Sequence, residues 1–217
     1  MIREKFKTGF TTAELMIALL IMGVIVASVV PVVTSKIQSE QYKVAWKKIY
    51  SELSQATDKI MADNAGSLKG VFTNKTVLRD KYAQYIGCIK KCSNGQSEDC
   101  WHRAGNWYYQ DGSVDTDVYD NSYHSACIIK NGMLLMFGFW SAACTDTSWS
   151  NTIPICGDIY IDVNGFKGPN TYGKDLFFLW ITEDAIKPYG VQGDGCETDC
   201  GIGAPQGTGC SAQYLYQ

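Results

Sequence analysis

Apolar and polar positions along the chain follow two successive patterns at its N-terminal end. From Ala13 to Val33 the sequence is an almost unbroken apolar run in which Glu14 is the one charged side chain. At about 1.5 Å per residue, a helix from Phe10 to Val33 spans roughly 36 Å, enough to cross a hydrocarbon core of about 30 Å. Beyond Gln38 the run gives way to a helical rhythm. Tyr42, Ala45, Ile49, Leu53, Ala56 and Ile60 recur at spacings of three and four, with Lys43, Lys47, Lys48, Glu52 and Lys59 elsewhere on the wheel. The two stretches predict one helix from about Phe10 to Met61, facing lipid or other subunits first and a domain core second. Asn64-Ala65-Gly66 supplies its stop. The stripe is short for a coiled coil, the competing reading.

After the helix the period changes. A short helix is expected over 77–89, then an irregular loop over 93–125 rich in Asn, Asp, Gly, Ser, Tyr and Trp. Strands follow at 126–130 and 133–140, joined by Asn131-Gly132, a pair suited to a hairpin. In 158–164 Ile159, Ile161 and Val163 alternate with Asp158, Tyr160, Asp162 and Asn164, which predicts one buried and one wet face. Leu176 to Ile181 is the returning apolar strand. The fold class is therefore α+β: a long N-terminal helix packed on a three- or four-stranded antiparallel sheet, with disulfide-rich loops. Residues 190–209 form a glycine-dense tail without period.

Composition adds the compartment. Nine cysteines in 217 residues, Cys88, Cys92, Cys100, Cys127, Cys144, Cys156, Cys196, Cys200 and Cys210, suit an oxidising environment. They fall into three trios, and their odd number leaves at least one thiol free or paired between chains. Connectivity is open at this level. The Cys-x3-Cys spacings at Cys88/Cys92 and Cys196/Cys200, with no histidine at ligand distance, argue against zinc. Arg3, Lys5 and Lys7 precede the apolar run and the first basic residue after it is Lys36, which places the N-terminus inside and the rest outside. A conventional signal peptide, cut near Ala27-Ser28, is disfavoured because the apolar run continues through Pro31-Val32-Val33. The formal charge of −3 offers no whole-chain case for nucleic-acid binding.

Catalytic chemistry finds little footing. His102 and His124 are the only imidazoles and carry no Ser-x-Gly or acidic orienter pattern, so they read as surface or half-buried residues. Gly193-Asp194-Gly195 and Gly201-Ile202-Gly203 lack the strand-to-helix context of a phosphate loop. Trp101, Trp107, Tyr108 and Tyr109 could form a sugar or partner surface, though such residues more often fill a core beneath a long loop. No enzyme is expected.

A carboxylate inside an apolar run costs on the order of 2.5–3.5 kcal/mol at mid-membrane depth, so Glu14 requires a partner. Pro31 removes a backbone donor near the far end of the run. The segment Lys7-Thr8-Gly9-Phe10-Thr11-Thr12-Ala13-Glu14-Leu15, with the aliphatic stretch and Pro31 behind it, resembles the N-terminal signal of type IV pilins and type II secretion pseudopilins. The resemblance implies cleavage after Gly9 by a prepilin peptidase and methylation of the new N-terminal Phe10. It makes Glu14 the assembly residue and Pro31 the helix-bending proline. Thr11-Thr12-Ala13 departs from the pattern, in which two bulky aliphatics are usual there. Physically, the freed amine of one subunit could meet the Glu14 carboxylate of the next and offset the burial of both.

What the resemblance implies for the whole chain is a leader at 1–9, a transmembrane assembly helix at 10–33, its amphipathic continuation at 34–66 and an exported pilin-like head at 67–217. The chain would sit in the inner membrane as a single pass, head periplasmic or extracellular, and polymerise with itself and sibling pilins. Partners would be the prepilin peptidase, an inner-membrane platform and its ATPase. The hairpin loop resembles a region that can hold calcium in pseudopilins. Candidate ligands are Asp162, Asn164, Asn170 and Asp175, against an ordinary Asn/Asp/Gly/Pro turn. The alternative function is a monomeric membrane-tethered binding or adhesion domain, and a third an anchored hydrolase using His102 or His124.

Overall fold

The structure is a computed structural model that describes residues 9, 11–201 and 205–216. Phe10 and the leader residues ahead of Gly9 lie outside the described residues, as do residues 202–204 of the tail. The chain divides into two units, residues 1–40 and 41–217, each taken on its own below.

Helix α1 (Thr12–Ala62) runs through both the apolar and the amphipathic stretches, one residue longer at its end than the pattern predicts. In the first unit its large side chains are bare: Leu15 is 57%, Leu20 70% and Ile25 54% exposed. This helix is long and apolar enough to cross a membrane. In the second unit Trp46, Ile49, Leu53, Ala56, Thr57 and Ile60 of α1 are buried, the face the three-four spacing marks out. Trp46 and Thr57 join it because each finds a buried polar partner. The Trp46 indole N–H donates to the Ser211 carbonyl at 3.0 Å, and the hydroxyls of Thr57 and Tyr82 lie 2.9 Å apart. The helix ends where Asn64 and Gly66 turn their amides back to the Met61 carbonyl.

Helix α2 (Lys75–Ile86) starts at Asn74, whose side-chain oxygen accepts from the amides of Thr76 and Val77, and stops at Gly87 in the left-handed region. That stop comes earlier than the predicted boundary at residue 89, and the chain enters a strand instead. Strands β1 (Cys88–Cys92), β2 (Trp107–Tyr108), β3 (Val114–Asp115), β4 (His124–Ile129), β5 (Leu134–Phe139), β6 (Gly157–Asp162), β7 (Leu176–Ile181) and β8 (Ile186–Pro188) follow, and then helix α3 (Cys210–Tyr216). The main sheet has six antiparallel strands in the order β1-β4-β5-β6-β7-β8, and β2 and β3 pair separately. The sequence pattern supplies the four central strands. It misses β1 and β8 because both are edges: β1 exposes its three middle residues and β8 is three residues ending in Pro188.

The pleat sorts the sheet into two cores. Leu135, Phe137, Ile159, Ile161, Phe177, Leu179 and Ile181 face α1 and α2, with Phe177 stacked on Trp46 at 4.8 Å. Leu134, Met136, Leu176, Phe178 and Trp180 face the opposite way, where the loops over 93–123 and 189–201 cover them together with Trp101 and Trp107. This second core corrects the expectation of a wet face on β6: Asp158 is 1% and Asp162 0% exposed, and Tyr160 packs against the second core. A polar side chain facing outward from a sheet meets water only if nothing covers that face. Here a loop does.

Four disulfides cross-link the second unit: Cys88–Cys127, Cys92–Cys100, Cys144–Cys156 and Cys200–Cys210. Three stay within a sequence trio. Cys88–Cys127 joins two trios because β1 and β4 are sheet neighbours. Such closures stabilise by about 2–4 kcal/mol each through restriction of the unfolded chain. Leu53 is fully buried between helix and sheet, so Leu53→Ala should cost about 2–5 kcal/mol of stability, read as a lowered melting midpoint in near-ultraviolet circular dichroism of the detergent-solubilised protein.

Candidate functional site

Two regions carry chemistry, one in each unit. In the first, Gly9 is exposed and has open space around its Cα. Glu14 sits in the opening turn of α1, where its Oε2 accepts from the Thr11 backbone amide at 2.8 Å and from the Thr11 hydroxyl at 2.9 Å. The Glu14 amide in turn donates to the Thr11 hydroxyl oxygen at 3.2 Å. This is a reciprocal capping box, readable in the sequence as Thr-x-x-Glu yet overlooked beside the apolar run. It gives the carboxylate a partner within its own chain. Helix α1 continues through Pro31, whose ring removes the donor that would reach back to Ala27. Downstream, Thr34 returns its hydroxyl to the Val30 carbonyl at 2.8 Å.

In the second unit a cavity of about 520 Å³ opens on the loop-covered side of the sheet. Its walls are mostly rings: Tyr109, Tyr119, Tyr160, Tyr172, Phe178, Trp180 and Tyr189, with Tyr123, Trp140 and Trp149 also lining it. Trp149 is 64% exposed and Tyr123 49%. Sheet strands place Tyr160, Phe178 and Trp180, and the loops bring the rest. The 93–123 loop is fixed by Gln96, whose amide donates to Asp120 at 2.8 Å and whose side-chain oxygen accepts from the Tyr119 amide at 2.9 Å. Trp180 is held by its indole N–H donating to Asp194 at 3.1 Å and by stacking on Tyr189 at 3.8 Å.

The charged side chains lining this cavity are the carboxylates of Asp115, Asp117 and Asp158, beside neutral Asn121, His124, Gln206 and Thr208. Asp115 accepts from the Tyr172 hydroxyl at 2.5 Å and the Asp117 amide at 2.8 Å. Asp158 accepts from the Trp140 indole N–H at 2.9 Å through Oδ2, while its buried Oδ1 receives no hydrogen bond. Burial pushes the Asp158 carboxyl up to about 7, against the pull of Trp140 and of the Gly138 amide. His124, 3% exposed, points Nδ1 at the Asn121 side-chain oxygen, 3.0 Å away; that oxygen also accepts two backbone amides. Nδ1 therefore carries the hydrogen and Nε2 is a bare acceptor, buried without a partner. Burial, with the Lys75 charge adding to it, lowers the His124 pKa to about 4 and keeps the ring neutral. Both orphan acceptors crowd Gly138, where a Cβ would stand 2.1 Å from Asp158 Oδ1 and 3.0 Å from His124 Nε2.

The remaining sequence-derived candidates disperse. His102 is buried, not superficial, and its Nε2 lies 2.7 Å from Asp162 Oδ2; the acidic partner absent from its sequence neighbourhood comes from β6. Trp101 and Trp107 fill the second core, Tyr108 stays partly exposed, and of the four aromatics only Tyr109 lines the cavity. Around the hairpin loop, Asp162 Oδ1 accepts from the Asn164 amide at 2.9 Å, and Asp175 accepts from Asn170 and Thr171 at 2.8 and 2.7 Å. Both carboxylates thus serve the loop's own backbone, while the side-chain oxygens of Asn164 and Asn170 are buried and unpartnered. Among the described residues, no three His, Cys, Asp or Glu side chains gather as a metal site. Cys196 is the free thiol, half-buried, its pKa raised to about 11 by burial first and by Asp194 next.

No protein-family model, curated protein or solved structure matches the chain. The cavity escaped sequence reading because its acids and rings are contributed by β3, β4, β6, β7 and several loops far apart in sequence. The one signal available was the unusual pairing of Asp158 and Tyr160 on the same strand face.

The raised Asp158 carboxyl sets a sign. Its folded-state value of about 7 lies above the ordinary carboxyl value of 3.8, so the folded protein holds a proton that the unfolded chain releases, and stability from this group falls as pH rises across that interval. Asp158→Asn removes the effect. The melting midpoint of the variant should gain on that of the parent between pH 5 and pH 8; a constant difference across that range would show Asp158 ionised throughout.

Proposed function

We propose that the chain is a structural subunit of a type IV pilus-like filament or a type II secretion pseudopilus. It would be inserted through its N-terminal helix, cut after Gly9 by a prepilin peptidase, methylated at Phe10, and polymerised with itself and sibling pilins. The observation that carries this reading is the bare apolar first half of α1 with a carboxylate in its first turn. Such a surface is buried either by lipid or by other copies of the same helix, and only the second supplies an amine for Glu14. Removal of Arg3, Lys5, Lys7 and Glu4 with the leader would make the exported chain two charges more negative than its present −3. The work of the subunit would be mechanical, pushing or displaying its head from the inner membrane, driven by an assembly platform and ATPase, without substrate turnover.

The Thr11 capping box qualifies the mechanism. A monomer already gives Glu14 two short hydrogen bonds, so the neighbouring amine must add a charge interaction to what the cap provides. A capping box accepts Gln as well as Glu. Glu14→Gln therefore keeps the cap and deletes the charge, and Glu14→Ala deletes both. Under the filament reading both variants remain membrane-inserted but drop out of sheared filaments or pseudopili by at least tenfold, about 1.4 kcal/mol or more. A tethered monomeric binding domain, the second reading, is supported by the ring-lined cavity in the head and predicts no change in either variant. Mass analysis of the membrane-extracted protein should find Phe10 methylated at the N-terminus, and an uncleaved Met1 would end the filament reading.

Calcium belongs to the same proposal at Asp162, Asn164, Asn170 and Asp175. The two unpartnered amide oxygens support it, and the ion would cross-brace the hairpin loop. Millimolar calcium should then raise the melting midpoint relative to chelator, and Asn170→Ala should abolish the rise.

A further inference from the structure

The cavity on the loop-covered face has a property that neither membrane anchoring nor polymerisation requires. It is lined by the carboxylates of Asp115, Asp117 and Asp158, with no lysine or arginine among the described residues. Its one imidazole is neutral. An anionic ligand would meet like charge on entry. With Asp158 ionised, its Oδ1 and His124 Nε2 are both acceptors, and both are buried without a partner. A buried acceptor without a donor is costly, more so when charged, and a ligand bearing N–H groups and a positive charge would relieve both at once.

The walls favour the same chemistry. Tyr160 meets Phe178 at 4.6 Å and 86°, Tyr119 meets Tyr160 at 5.5 Å and 55°, and Phe178 meets Tyr189 at 5.1 Å and 42°. Rings inclined to one another in this way wall a space instead of offering one flat platform for a sugar face. Aromatic faces attract cations most strongly where water is excluded, and a volume of about 520 Å³ accommodates a small organic molecule.

We propose that this cavity is a binding site for a small organic cation, a primary ammonium on an apolar or aromatic stem, with the ammonium donating to Asp158 Oδ1 and His124 Nε2 and the stem lying among Tyr119, Tyr160, Phe178 and Tyr189. Asp117 stands exposed to solvent and contributes charge. The assignment does not depend on whether the chain polymerises. Bound ammonium would hold Asp158 ionised, so affinity should rise as pH goes from 6 to 8. The groups facing Asp158 are His124 from β4, Trp140 beyond β5, Tyr119 from the loop, Tyr160 on β6 itself and Tyr189 beyond β8. None of them adds a positive charge in that range; Lys75, whose charge reaches His124, is occupied by hydrogen bonds to Asn94 and the Asn121 carbonyl.

The test uses the full chain in neutral detergent with 2-phenylethylamine as probe, 2-phenylethanol as its uncharged counterpart and N-acetylglucosamine as a sugar, read by tryptophan fluorescence and indole N–H resonances. The amine should produce a saturable shift and bind at least tenfold tighter than the alcohol. Asp158→Asn should weaken it at least tenfold at pH 8, and Asp117→Asn, a change at an exposed position, by a few-fold. The proposal is overturned if the alcohol binds as tightly as the amine, if the sugar alone saturates, if no shift appears at tens of millimolar amine, or if folded Asp158→Asn and Asp117→Asn both bind unchanged.

Discussion

Burial of the central sheet on both faces is the constraint from which the rest of the head follows. Strand β7 buries all six of its residues, and β5 and β6 come close to it. A sheet of this kind needs two covers. The first is ordinary: the second half of α1 and the whole of α2 lay apolar side chains on one face. The second cover is made of loops, which bring backbone polar groups and few aliphatic side chains. Such a layer is held by side-chain hydrogen bonds to backbone, by disulfides and by large rings. Gln96 and Asp120 pin one loop, Asp194 and Asp199 the other, and Cys92–Cys100 and Cys200–Cys210 close each upon itself.

The aromatic cavity lies where this second cover meets the sheet. Its acids are costly there. Asp158 is pushed toward neutrality, and Asp162, raised to about 6 by burial, leans on His102 for relief. A head serving only as bulk could have put apolar residues at both positions, as volume-conserving replacement of buried polar pairs is often neutral or stabilising. Their presence in the least conventional part of the fold gives that face a chemical character that α1 does not share.

The N-terminal unit poses the opposite problem: an apolar helix with nothing to bury it among the described residues of its own unit. Its surface is long and apolar enough to suit a lipid bilayer. In the capping box the Glu14 carboxylate opens the helix, in a first turn where the helix dipole also favours negative charge.

Reading the chain alone recovered what depends on local periodicity. The long helix, its buried stripe at Ile49, Leu53, Ala56 and Ile60, the four central strands and the Asn131-Gly132 hairpin follow from period and turn chemistry within a few residues. Tertiary structure decided what depends on coverage and adjacency. It decided that the Asp158 face of β6 is dry, because a loop lies over it, and that His102 meets Asp162 and Cys88 meets Cys127, because strands distant in sequence become neighbours. The short edge strands β1 and β8 also belong to this class, since an edge needs the sheet beside it before its few residues have anything to pair with. A sequence specifies which faces are apolar. Only the folded chain specifies which polar faces lose their water.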